Sequence, residues 1–268
     1  MSARIAVAAT APFGADVLQR LAASYEISVL LTRPDAPAGR GRRLAQPPAK
    51  DAADQLGIPV LQPEALEAGL ELDAPTVVAV AYGRLVPESL LAERLWLNVH
   101  PSLLPRWRGA APVERALMAG DDETGVTIIE LVKELDAGPI AAQRAFVIEA
   151  DDDAGAVYAN AAPIAVELLA DVLDAPDRAH PPQPDEGVMY ADKITAADRV
   201  LDLSRPPREL VNRVRALSPH IGARARLHGR DVTVWRAHVA EDGSFEALEV
   251  QPRGGRRMEY AAWLRGLR

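Results

Sequence analysis

The stretch "TVVAVAY", residues Thr76–Tyr82, is apolar at almost every position. A strand exposed to water on one face alternates apolar and polar residues, whereas a strand covered on both faces is a nearly continuous apolar run. Strands covered on both faces are typical of parallel sheets, because the connecting helices pack on both sides. This stretch therefore predicts a central strand of an α/β sheet.

Strand-like and helix-like segments alternate on both sides of this stretch. Apolar strand-like segments occupy Arg4–Thr10 and Ile27–Thr32, and "WLNVH" ends at His100. Helix-like segments separate them, including "ADVLQRLAAS", "PPAKDAADQLG" and "PEALEAG", and two further strands, "TGVTIIELV" and "GPIAAQRAFVIE", follow. The alternation predicts an α/β fold with a doubly wound, Rossmann-like parallel sheet. Ligands of such sheets bind outside the carboxyl ends of the strands.

The composition changes after a long predicted helix at Ala154–Leu173. The tract "DAPDRAHPPQPDEG" is Pro-rich and polar and reads as a linker. A helix and three short strands, "ARARLHG", "DVTVWRAHV" and "FEALEVQP", follow it and predict a small β-barrel, which we expect to be OB-like. We thus expect a catalytic domain at 1–174, a linker at 175–188 and a C-terminal β-barrel domain at 189–268.

The composition narrows the possible function classes. The 268 residues carry a net charge of −8 and contain no cysteine, which argues against a general nucleic-acid-coating protein and excludes thiolate chemistry. We expect a cytoplasmic protein that does not bind a membrane, because no signal segment is evident and no apolar run reaches ~20 residues. We also expect a monomer. The first strand is followed by no G-x-G-x-x-G, and the five histidines are scattered, so we expect neither a dinucleotide site nor a metal site.

The most informative polar residues lie at the carboxyl end of the predicted strand "WLNVH" and in a later turn. Asn98 and His100 are two residues apart, so they project to the same side of a strand at its carboxyl end. Asp136 precedes an Ala-Gly-Pro turn. If Asp136 reaches His100, it orients the imidazole and favours its protonated form, while the Asn98 amide can donate to a developing oxyanion. Without a Ser or Cys nucleophile, this trio suits direct acyl transfer between two amines; each residue alone is also explained as a strand-end or turn residue.

Two segments, "NVHPSLLPRWRGAAP" and "TGVTIIELVKELDAGPI", resemble the folate-dependent formyltransferase family. This resemblance implies 10-formyltetrahydrofolate as a consumed cosubstrate, with no metal. It implies that Asn98, His100 and Asp136 are the catalytic residues. It also implies a folate-binding set that consists of a proline-bounded loop and a segment lining the pterin pocket: Ser102, Leu103, Leu104, Pro105, Arg84 and Leu85.

Within that family, "RPDAPAGRGRRLAQPPAKDAADQLGIPVLQPEAL" (33–66) resembles the RNA-contacting loop of members that formylate initiator methionyl-tRNA for translation initiation. The resemblance implies tRNA contacts by Arg40, Arg42 and Arg43. It also implies that the C-terminal domain is tRNA-associated and shortened, because only "AEDGSFEAL" lies between "VTVWRAHV" and "EVQPRGGRR". Three alternatives stay open: an amino-sugar nucleotide formyltransferase, a formyltetrahydrofolate hydrolase, and an RNA-binding protein on an inactive enzyme scaffold.

Overall fold

The computed structural model describes residues 4–38, 43–175 and 179–267. The described chain divides into two compact units. Unit 1 contains the chain up to Arg108 together with Gly125–Ala145 and Ala159–Met189, and unit 2 contains Gly109–Thr124, Phe146–Tyr158 and the chain from Tyr190 onward.

Strands occur throughout the described residues. They are β1 (Arg4–Ala9), β2 (Glu26–Leu31), β3 (Ala36–Ala38), β4 (Arg43–Ala45), β5 (Val60–Leu61), β6 (Thr76–Val80), β7 (Leu95–His100), β8 (Arg108–Gly109), β9 (Glu123–Glu130), β10 (Ile140–Val147), β11 (Tyr190–Ala191), β12 (Ala223–Leu227), β13 (Arg230–Val239), β14 (Phe245–Pro252) and β15 (Met258–Glu259).

Helices connect most of these strands, and several begin at a proline, which lacks the N–H that the first turn leaves unpaired. They are α1 (Pro12–Leu21), α2 (Pro48–Leu56), α3 (Glu88–Leu91), α4 (Pro112–Ala119), α5 (Ala154–Leu173), α6 (Pro207–Leu217) and α7 (Tyr260–Arg265).

A seven-stranded sheet forms the centre of unit 1, in the order β10-β9-β7-β6-β1-β2-β5. Strands β1, β2, β5, β6 and β7 run parallel, and β9 pairs with β7 in the antiparallel sense. Every residue of β6 is buried, as the continuous apolar run predicts. Val80 of β6 is opposite Val99 of β7, so the carboxyl ends of these two strands meet at one edge of the sheet.

The second sheet, in unit 2, has four antiparallel strands in the order β12-β13-β14-β15. Helix α6 packs its apolar face on this sheet, and the shared core includes Leu210, Val214, Val234 and Val250. The predicted fold class is confirmed: a doubly wound sheet is accompanied by a small C-terminal β domain.

The prediction of a helix at "PEALEAG" is wrong. Residues 63–69 form turns without helix. The guanidinium of Arg84 donates to the carbonyl oxygens of Pro63 and Glu64 at 2.7 and 2.8 Å. In a helix, these carbonyls would accept the first hydrogen bonds of the helix itself. Here the Arg84 side chain, distant in sequence, takes that place.

Helix α5 is, among the described helices, the one with the length and apolar composition of a membrane span. Core helices of soluble proteins pass the same test. The side chains of Ala161, Ala165 and Leu169 are fully buried within the fold, so we read α5 as a core helix.

Gly14 of α1 provides a test of the packing between this helix and the sheet. A Cβ at this position would lie 2.5 Å from the carbonyl oxygen of Val80 and 2.8 Å from Cβ of Ala9. We expect Gly14→Ala to lower the free energy of unfolding by about 1–3 kcal/mol, the usual cost of overpacking. The exposed Gln19 of the same helix is the control: Gln19→Ala should change the free energy of unfolding by less than about 0.5 kcal/mol. Equal urea midpoints for the two variants would contradict close packing at Gly14.

Candidate active site

The carboxyl end of β7 places two polar side chains on one side of the sheet. Asn98 is half-buried, and His100, the last residue of the strand, is only 4% exposed. The flanking β7 residues Leu97 and Val99 point to the opposite side and are buried. The alternation of the strand therefore delivers Asn98 and His100 together, as the sequence predicts.

Asp136 completes the group from the turn between β9 and β10. Its Oδ1 accepts a hydrogen bond from Nδ2 of Asn98 at 3.3 Å, and its Oδ2 lies 3.6 Å from Nδ1 of His100. The Asp136 side chain is itself nearly buried. The three residues named from the sequence thus converge in space.

The other ring nitrogen of His100 faces the backbone. Nε2 lies 2.8 Å from the carbonyl oxygen of Trp107. A carbonyl oxygen can only accept, so Nε2 carries a hydrogen and Nδ1 is the nitrogen that gains and loses a proton. Trp107 has a φ of 68°, a region that a bulky L-residue rarely adopts.

Opposing effects set the pKa of His100. Burial, the largest effect, lowers the pKa below the ordinary value of 6.5, while the Asp136 carboxylate and the Trp107 carbonyl raise it. The net direction is downward, so the resting imidazole is neutral at pH 7. Asp136 acts in the predicted direction, but burial outweighs it.

The loop after β7 is held from β9. Thr127 Oγ1 donates to the carbonyl oxygen of Ser102 at 2.6 Å and accepts from the N–H of Leu104 at 3.2 Å. Gln143 Nε2 donates to the same hydroxyl and to the carbonyl oxygen of Leu104. The fully buried Ser102 donates to the carbonyl oxygen of Arg106 at 2.8 Å. Ser102, Leu103, Leu104 and Pro105 therefore form a braced loop directly beside His100.

Arg84 and Leu85 follow β6, so they belong to the same carboxyl edge as the end of β7. The Leu85 side chain is 78% exposed, whereas the Arg84 guanidinium binds the carbonyl oxygens described above. The exposed leucine provides an apolar surface at this edge.

Of the three arginines predicted to contact tRNA, Arg43 lies in β4 and is exposed, while Arg40 and Arg42 lie outside the described residues. Strands β3 and β4 form an antiparallel pair. Directly before β3, both carboxylate oxygens of Asp35 accept hydrogen bonds from Lys50 Nζ, at 2.9 and 3.0 Å. A hydrogen bond from Gln62, together with Lys50, lowers the pKa of Asp35.

Residues 3–173 match the family model for formyl transferase, and residues 193–247 match the model for the formyl transferase C-terminal domain. The chain belongs to the formyl transferase family. The predicted family is thereby confirmed.

The formyl transferase similarity extends over the whole chain. A methionyl-tRNA formyltransferase of Halorhodospira halophila is 39% identical over 302 aligned residues, which cover 100% of this chain and 97% of that protein. Solved structures that share the fold include the following two. One is methionyl-tRNA formyltransferase from Clostridium thermocellum (TM-score 0.66, 12% identity, 96% of this chain and 99% of that one). The other is HypX from Aquifex aeolicus in complex with tetrahydrofolic acid (TM-score 0.69, 19% identity, 98% of this chain and 46% of that one).

Thr127 and Gln183 contact the site of this formyl transferase but were not named from the sequence. A signal for Thr127 existed: it is the single hydroxyl residue inside the apolar run "GVTIIE". Gln183 lies in the tract predicted to be a linker. A single amide side chain in such a polar tract does not indicate burial or a contact with the site.

Across the described parts of the chain, no group of three or more His, Cys, Asp or Glu side chains is arranged to hold a metal ion. The Asp136 carboxylate faces the His100 imidazole.

The Asp136 carboxylate should control the protonation of His100. In Asp136→Asn, the loss of the negative charge removes the main effect that favours the charged imidazole, so we expect the pKa of His100 to fall further below 6.5. NMR titration of the histidine ring resonances measures this pKa. Asp16→Asn, on the exposed side of α1, is the control and should leave it unchanged. An unchanged or higher pKa of His100 in Asp136→Asn would contradict the electrostatic coupling.

Proposed function

We propose that this protein transfers the formyl group of 10-formyltetrahydrofolate to the amino group of methionyl initiator tRNA, for translation initiation. The convergence of Asn98, His100 and Asp136 at the carboxyl edge of the sheet carries this proposal. The full-length similarity to the H. halophila methionyl-tRNA formyltransferase supports the choice of acceptor.

In the proposed reaction, the methionyl amine attacks the formyl carbon, and a tetrahedral intermediate with a negative oxygen forms. The attacking nitrogen must lose one proton, and N10 of the folate must gain one as the C–N10 bond breaks. Neutral His100 accepts the first proton at Nδ1 and donates it to N10. The proton count therefore balances without an external acid or base.

The neighbouring residues stabilise charge during this step. The Asn98 amide donates one hydrogen to Asp136 and can direct its second hydrogen to the oxyanion, an interaction worth about 3–4 kcal/mol in comparable sites. Protonated His100 lies between this oxyanion and the Asp136 carboxylate, so its charge is favoured only while the intermediate exists.

The substrates occupy the edge where these residues lie. The braced Ser102–Pro105 loop and the exposed Leu85 provide a rigid wall and an apolar surface for the flat folate rings, with Arg84 holding the segment that carries Leu85. A rigid wall keeps the reacting atoms aligned, and a misplacement of about 1 Å costs up to ~10²-fold in rate. Arg40, Arg42 and Arg43 contact tRNA phosphates. The enzyme acts as a cytoplasmic monomer and uses no metal.

The acceptor is tested by incubating the protein with 10-formyltetrahydrofolate and one acceptor at a time: charged initiator methionyl-tRNA, an amino-sugar nucleotide, or none. We expect product on tRNA alone. His100→Ala should lower kcat by about 10²–10⁴-fold, because general acid–base catalysis is lost. Gln19→Ala is the control and should keep full activity.

Three outcomes would contradict this proposal, each in a different way. Product on the sugar alone would replace the acceptor and keep the chemistry. Formate release without an acceptor would assign a hydrolase. Wild-type activity in His100→Ala would remove the proposed proton carrier.

The arginine loop is tested separately. Replacing Arg40, Arg42 and Arg43 with alanine should raise KM for tRNA and leave KM for the folate unchanged, because phosphate contacts are lost. The slope of log KM against log salt should fall by about one per lost contact. Arg20→Ala, outside this loop, should change neither. A raised folate KM in the triple variant would instead indicate damage to the sheet edge.

A further inference from the structure

Gln183 lies in the Pro-rich tract that the sequence predicts to be a linker, yet its side chain is only 9% exposed. Its Nε2 donates to the carbonyl oxygens of Asp136 and Gly138 at 2.8 and 2.9 Å. Its Oε1 accepts from Nε and Nη2 of Arg108 at 3.0 and 2.7 Å. The amide therefore uses both of its hydrogens and its oxygen inside unit 1.

These bonds reach both neighbours of the His100 imidazole. On one side they hold the backbone of Asp136, whose carboxylate faces Nδ1 of His100. On the other side they hold Arg108, which directly follows Trp107, and the Trp107 carbonyl accepts from Nε2 of His100. One side chain thus connects the two segments between which the imidazole is fixed.

Both segments have backbone conformations that need support. Asp136 has a φ of 48° and Trp107 a φ of 68°, values that L-residues avoid unless surrounding contacts hold them. Two residues after Asp136, a side chain at Gly138 would collide with the carbonyl oxygen of Glu130, so the Asp136 turn leaves no space for one. Hydrogen bonds to the carbonyls on this turn fix a conformation that the local sequence does not favour.

The tract around Gln183 is itself anchored to the same hairpin. His180 Nδ1 lies 2.6 Å from Oε1 of Glu130, and the N–H of Ile140 donates to the carbonyl oxygen of Pro181 at 3.0 Å. The His180 side chain is 4% exposed. These contacts set the position from which the Gln183 amide reaches the turn.

We propose that Gln183 is a positioning residue that holds the Asp136 turn and the Trp107–Arg108 segment in register around His100. This inference rests on the proposed catalytic roles of His100 and Asp136. Gln183 acts through these residues and does not touch the reacting atoms.

Gln183→Met tests the proposal, because methionine has nearly the same length and offers none of these hydrogen bonds. We expect kcat to fall about 10–100-fold, with KM for folate and for methionyl-tRNA changed less than about threefold. Gln183→Glu is the second variant. It keeps an acceptor for Arg108 and loses both donors to the turn, so it should also lower kcat if the turn contacts matter.

A double-mutant cycle separates positioning from general stability. If Gln183 acts through Asp136, then Gln183→Met should cost less than about twofold in an Asp136→Asn background. Leu169→Ala is the matched control: it destabilises the core through a fully buried, apolar side chain of α5 that makes no hydrogen bond to the Asp136 turn. This control should keep kcat within about threefold, even if its melting temperature falls as much as that of Gln183→Met.

The pKa of His100 gives a readout that needs no acceptor. In Gln183→Met, we expect the NMR titration to move the pKa of His100 toward its value in Asp136→Asn, because the carboxylate is less firmly held. A wild-type pKa and a wild-type kcat in Gln183→Met would overturn the proposal, as would full additivity with Asp136→Asn. If wild-type protein does not formylate methionyl-tRNA, the proposed function fails, and the His100 titration still decides the role of Gln183.

Discussion

The buried His100 imidazole, with an acceptor oxygen facing each ring nitrogen, is the constraint on which the rest of the site depends. Burial disfavours the charged ring, while the Asp136 carboxylate and the Trp107 carbonyl favour it. In the proposed reaction, a group held between these effects is neutral at rest and becomes charged when an oxyanion forms beside it. An exposed histidine would lack the burial that disfavours the charged ring. A buried histidine without acceptors would lack the oxygens that favour it.

Holding both acceptors in place requires contacts from distant parts of the chain. The strand β7 fixes His100 itself, since it is paired on both sides by β6 and β9. The acceptors lie on turns instead, and both turns contain a non-glycine residue with positive φ. The sheet therefore fixes the position of the imidazole. Side-chain hydrogen bonds from Thr127, Gln143 and Gln183 stabilise the turn and loop conformations that their local sequences do not favour.

The parts of the site that follow from periodicity are visible in the sequence. The apolar run at Thr76–Tyr82 predicts β6, and the spacing of Asn98 and His100 places both on one side of β7 at its carboxyl end. Asp136 is a turn residue by its local sequence, and only the family resemblance connects it with His100. The Trp107 carbonyl leaves no trace in the sequence, because every residue has a carbonyl and its direction depends on φ and ψ. The helix wrongly predicted at "PEALEAG" fails for a related reason: Arg84, about twenty positions away, takes the carbonyls that a helix would use.

The tract predicted as a linker shows the limit of composition as a guide. Prolines and polar residues prevent a segment from forming a hydrophobic core, but they do not prevent single side chains from being buried. Gln183 and His180 are both nearly buried and hydrogen-bonded. A neutral amide suits the position of Gln183, because it can donate to two carbonyls and accept from Arg108 without adding a charge near His100. A lysine there could donate but would place a second cation beside Arg108, and a carboxylate could accept but would repel both carbonyls. The neutral amide thus leaves the Asp136 carboxylate as the charge that acts on the pKa of His100.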